Sequence, residues 1–113
     1  MPALSLGAQA LDVFHISRDL VRAVEAARIA DTDLCDHATV AARSAFLSVC
    51  EGLPHEEAAT RWVCLERARA AIHHVLAVVD LAVAIDDIEA GRARAVEALA
   101  SKMEAMLIAI QRR

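Results

Sequence analysis

Five histidines and three cysteines are the side chains of this chain best suited to chemistry, and their spacing decides which chemistry is open to them. Cys35-x-His37 and His73-His74 are the close pairs. A metal site on a helix needs ligands at i and i+3 or i+4, so that both point at one ion. Adjacent helical residues diverge by about 100°, so His73 and His74 cannot share an ion within one chain. No Glu-x-x-His occurs, which the di-iron carboxylate bundles require. Ser44, Ser48 and Glu51 have no histidine placed beside them by sequence, and Gly52 and Gly91 are isolated, so neither a hydrolytic triad nor a phosphate-cradling loop is indicated. The reading is a non-enzymatic protein with no catalytic residue, no metal ligand and no cofactor.

Charge points the same way. The 113-residue chain carries a formal net charge of −4, unevenly spread. Residues 1–90 hold 7 basic and 14 acidic side chains, whereas 91–113 hold 5 and 2. The acidic body argues against a protein held to nucleic acid by bulk electrostatics. A basic C-terminal segment (Arg92, Arg94, Lys102, Arg112, Arg113) keeps a local nucleic-acid stripe open, although no aromatic residues are interleaved for base stacking. A plain solvated face is the competing reading. An odd number of cysteines (Cys35, Cys50, Cys64), each inside a helical pattern, reads as reduced thiols of a cytoplasmic protein. The N-terminus lacks a basic segment followed by a long apolar one, so no signal peptide is expected. The apolar window Val75–Ile85 is too short to span a bilayer and contains Asp80, so no membrane is implied.

The elements that must position these residues are helices. Hydrophobic residues make up 58% of the chain and 26 residues are alanine, while only three are aromatic. That composition favours helix and offers little to a strand. The length suits one domain over residues 1–113. A first helix is predicted over about Ala8–Ala30, with Val13, Ile16, Leu20, Val24 and Ala27 on one face. Asp33 or Thr32 then caps a second over about Leu34–Cys50, striped by Leu34, Ala38, Ala41, Ala45 and Val49. Glu51-Gly52-Leu53-Pro54 ends it, with Gly52 expected at positive φ. A third helix runs from about His55 to Ile85 with two stripes. One is Trp62, Leu65, Ile72, Leu76, Val79 and Val83, and the other is Cys64, Ala68, Ala71, Val75, Val78 and Ala82. Its end is apolar nearly all round, which calls for burial nearly all round. Asp86 with Glu89 reads as the capping box of a fourth helix, whose seam is Val96, Leu99, Met103, Met106 and Ile110. Leu20, Leu65, Leu76 and Leu99 are expected in the core. Short connections make this an all-α, up-down-up-down antiparallel four-helix bundle.

Several segments carry a resemblance. Leu11-Asp12-Val13-Phe14 with Leu20-Val21, then Val40-Ala41, Ser44-Ala45 and Ser48-Val49-Cys50-Glu51-Gly52, then Cys64-Leu65, Ala68, Ala70-Ala71 and His74 follow one pattern. It resembles the four-helix-bundle family of the 23S rRNA intervening sequence proteins, related to the accessory protein of diversity-generating retroelements. Agreement lies in spacing and in apolar or small character. Departures fall at polar positions, where Val40 and His55 replace arginine, Ser48 asparagine, Ala70-Ala71 a Gly-Ser pair and His74 glutamate. The chain is similar to a diverged member. The resemblance implies a homo-oligomer, a pentamer in the family, and nucleic acid or a reverse transcriptase as partner of the related accessory proteins. The second stripe of helix three gives a separate reason to expect association, with ordinary packing inside one bundle as the alternative. Arg69-x4-His74 also resembles the Arg-x4-6-His spacing of the HEPN ribonucleases, where arginine stabilises phosphate charge and histidine moves a proton. Ala70 stands where that motif has a polar residue. The function expected is a self-associating scaffold or adaptor, ahead of a nucleic-acid-binding accessory protein and of a ribonuclease using Arg69 and His74.

Overall fold

The computed structural model describes the backbone of residues 2–112 and the side chains of residues 7–112. Four helices follow one another: α1 (Pro2–Ala26), α2 (Thr32–Gly52), α3 (Ala58–Ala84) and α4 (Ala90–Gln111). Each packs on two neighbours, α1 on α2 and α4, and α3 on α2 and α4. With no diagonal packing among the described residues and short connections, the arrangement is the up-down-up-down bundle expected from the periodicity. Its long axis extends 48 Å against 20 and 18 Å across.

The core follows the helical stripes. Val13, Ile16, Leu20, Val24 and Ala27 of the first stripe are all buried. In α2 the buried set is Ala38, Ala41, Ala42, Ala45, Val49 and Gly52, small residues that let α3 come close. From α4, Ala93, Val96, Ala100, Met103, Leu107 and Ile110 point inward. Leu20 and Leu65 lie in the centre of the core, whereas Leu76, Leu99 and Met106 are partly buried at its margin. The α4 seam is therefore turned slightly from the predicted one, toward Ala100 and Leu107.

Several boundaries differ from expectation, each for a local reason. α1 begins at Pro2 and stops at Ala26, because Arg28 turns to φ 52 and breaks the helical path. The α2 cap is Asp31, not Thr32 or Asp33, and its carboxylate accepts the Leu34 N–H at 2.9 Å. Gly52 is not at positive φ: it is the last helical residue of α2 and Leu53 follows in right-handed conformation. Its lack of a side chain instead serves a close approach, since a Cβ there would clash with the Cβ of Cys64. α3 starts at Ala58 and ends at Ala84. Asp86 does not cap α4. It occupies φ 60 just beyond the end of α3, and Glu89 is the cap.

The two turns at this end are joined. The Asp31 N–H donates to Asp87 Oδ2 at 2.7 Å and the Ala30 N–H to the Asp87 carbonyl at 3.3 Å. Beside them, the Glu89 carboxylate accepts the N–H groups of Gly91 and Arg92 at 2.9 and 3.1 Å. These two backbone bonds hold its pKa below the ordinary carboxylate value, with small help from Arg92 and Arg94 against slight desolvation. A lowered folded-state pKa means the contribution to stability is present above the unfolded value and is lost as pH falls through the folded one. Glu89→Gln is expected to flatten the acid limb of a thermal-stability profile. An acid limb identical to wild type would contradict this cap.

Candidate functional site

The predicted site residues separate onto different faces. Cys64, Ala68, Val75, Val78 and Ala82 are buried in the bundle's own core, and Ala71 lines its edge partly buried. The expectation that this stripe packs between subunits is corrected, because α2 is rich in alanine and α3 needs both stripes to meet α2 and α4 at once. The alternative weighed for it, packing within one bundle, is what the helices do.

Arg69 and His74 are not brought together. Arg69 sits at the α3–α4 seam, where its guanidinium donates to Glu66 at 2.8 Å and to Gln111 at 3.2 Å. Its Nε, 4.0 Å from the Glu104 carboxylate, is buried without a hydrogen-bond partner. Gln111 in turn donates to Glu66 at 2.9 Å, closing a small network between the helices. His73 turns to the same seam and meets Glu104. His74 points the other way, over α2. Five residues of helix rotate a side chain by about 140°, so the spacing separates Arg69 from His74. The divergence expected of His73 and His74 is observed directly.

What His74 meets is His37. The two rings lie within 12° of parallel with centroids 5.4 Å apart, and His37 Nδ1 stands 3.3 Å from His74 Nε2. The far nitrogen of His37, Nε2, is 3.8 Å from the Asp33 carboxylate one turn earlier. The pair sits in an open groove of about 670 Å³ between α2 and α3, floored by Ala41 and Ala71 and edged by Asp36, Val40, Ser44 and Arg67. Sequence spacing did not reveal this pairing, which joins residues 37 apart in the chain.

The same face carries exposed apolar side chains. Val40 and Leu47 of α2 are 66% and 62% exposed, and Val63 and Leu81 of α3 and Ile85 just after it are about half exposed. Trp62 and Val83, on the α4 side of α3, are also about half exposed. The end of α3 is thus not buried nearly all round. Val78, Val79 and Ala82 are covered, while Leu81, Val83 and Ile85 face outward. No large apolar residue of α4 is exposed among the described residues.

On α4, Arg92, Arg94, Lys102 and Arg112 are exposed, and Arg113 lies outside the described residues. Arg94, Lys102 and Arg112 fall on the outward side, separated along the axis by about 12 and 15 Å. That is a sparse line of single charges rather than a patch. All three cysteines are free thiols, Cys64 buried and the other two partly so. Desolvation pushes the Cys50 thiol pKa up, against a smaller opposing effect of Arg18, which disfavours the nucleophilic thiolate. Among the described residues no helix is long and apolar enough to cross a membrane, and no three potential ligands converge on one point. No family model, curated protein or solved structure matches this chain.

Proposed function

We propose that this protein is a self-associating helical scaffold without chemistry of its own, and that the outer face of α2 and α3 is its interface. One observation carries the reading. Val40, Leu47, Val63, Leu81 and Ile85 put large apolar groups into solvent along one pair of helices, while the outer side of α4 has none among the described residues. Single exposed apolar residues are ordinary, but several on the outer sides of two adjacent helices mark a contact surface. On α3 these side chains lie toward the two ends, Val63 about 27 Å from Leu81, and the polar groove with His37, His74 and Arg67 lies between them. The face also holds both signs of charge, Asp33 and Asp36 on α2 and Arg67 on α3. A contact between two copies can therefore set Arg67 of each against a carboxylate of the other. The separation of Arg69 from His74 supports a non-enzymatic role.

The test is mass in solution. Wild type is expected to run as an oligomer by light scattering at micromolar concentration, and Leu47→Glu to shift it toward monomer with its helical circular dichroism kept. A charge at an exposed position costs little in the monomer but must be desolvated on association. An oligomer unchanged by Leu47→Glu would remove this face from the interface.

A further inference from the structure

We infer that His37 and His74 form a two-point binding site for a borderline divalent transition-metal ion of the zinc class, bridging α2 and α3. The distance is the first reason. Two imidazole nitrogens each about 2.0–2.1 Å from a tetrahedral zinc ion are themselves about 3.3 Å apart. His37 Nδ1 and His74 Nε2 already stand at 3.3 Å. A proton on either of the two nitrogens would make an N–H···N hydrogen bond across that gap, and zinc takes the place of that proton while the rings tilt to converge on it. Both side chains are exposed in the single chain, which leaves room for the tilt.

The tautomer is the second reason. The Asp33 carboxylate lies beside Nε2 of His37, the nitrogen facing away from His74. A carboxylate there favours the proton on Nε2 and leaves the Nδ1 lone pair aimed at the ion. Second-layer carboxylates that accept a hydrogen bond from the far ring nitrogen orient metal-binding histidines in this way, and a small rotation of the exposed Asp33 side chain from its 3.8 Å separation would make that bond. Asp36 adds negative charge to the groove and Arg67 opposes it. Paired imidazoles without clustered carboxylates suit zinc, nickel or copper rather than calcium or magnesium, which take oxygen ligands.

The number of ligands sets the character of the site. Among the described residues no third histidine, cysteine or carboxylate converges with the pair. In the single chain the ion therefore keeps open positions for water, which the open groove admits, and self-association through this face would cover them. Bound metal still ties α2 to α3, so it stabilises the bundle by linkage.

Zinc chloride titrated calorimetrically into the reduced, chelator-treated full chain tests the site, with histidine ring signals followed by NMR. One zinc per chain is expected, perturbing the rings of His37 and His74 together. His37→Ala and His74→Ala should each weaken binding at least about tenfold, and Asp33→Asn several-fold. His73→Ala, whose ring faces α4, should leave binding unchanged. Because the cysteines can also take zinc, the series is repeated with Cys35→Ser and Cys50→Ser, which should retain the metal. No zinc uptake, uptake unaffected by both His37→Ala and His74→Ala, or uptake lost with the two cysteine variants would overturn the assignment. Circular dichroism of the histidine variants establishes that loss of binding is not loss of fold.

Discussion

Truncating Leu65 to alanine is expected to destabilise the bundle by about 2–5 kcal/mol, whereas Leu76→Ala should cost roughly half as much or less. Leu65 is 1% exposed and central. Leu76, on the same helix, packs only against the margin of the core. The cost of a large-to-small substitution has a transfer part and a cavity part, and both scale with how completely neighbours enclose the removed atoms. At Leu76 water reaches the vacated space, so little cavity remains. Urea unfolding of the two variants reads the difference as a shift in midpoint at unchanged slope. Equal losses would mean that α3 is rotated about its axis relative to this arrangement.

Gly52→Val is expected to be similarly severe, by at least about 1–3 kcal/mol, and Gly91→Ala close to neutral. A Cβ at Gly52 would clash with the Cβ of Cys64, an atom fixed to the facing backbone that no rotamer change can move. The two helices would have to separate where small residues bring them together. At Gly91 the new methyl group meets the Glu89 carboxylate oxygens at 3.1 and 3.2 Å, the end of a flexible side chain. A modest gain in helix propensity offsets a slightly displaced cap. The steric account has its own signature. Cys64→Gly should partly rescue Gly52→Ala, giving a favourable coupling in the double-mutant cycle. A glycine required for left-handed backbone would show no such rescue.

The bundle was legible because its apolar residues repeat at helical steps, and the α1 stripe from Val13 to Ala27 lies where the pattern puts it. The turns were less legible. Asp31, Asp33, Asp86 and Glu89 are all competent caps by type, and which one caps depends on where the chain leaves the helical path. Arg28 and Asp86 take left-handed backbone there, although glycine is the residue that composition would nominate. Gly52 was correctly singled out but for the wrong cause, since sequence does not distinguish a conformational glycine from one that admits a neighbour. The histidine pair was hidden by contact distance along the chain. His37 and His74 lie about equally far from the turn between α2 and α3, so hairpin register could have placed them together where local spacing could not. The second stripe of α3 shows the opposite limit. An apolar helix face says that something covers it, not whether the cover is the same chain or another.

Comparing Leu81→Glu with Val78→Glu by sedimentation velocity and circular dichroism tests the central claim most directly. The residues are three apart on α3, but Leu81 is 48% exposed and Val78 is 7% exposed. Wild type is expected to sediment as an oligomer. Leu81→Glu should sediment as a folded monomer, because its carboxylate is hydrated in the free chain and must be stripped of water only on association. Val78→Glu should lose helical signal, because its carboxylate would be buried in the core without a partner. A monomeric wild type, or a Leu81→Glu protein that sediments as wild type does, would contradict the account.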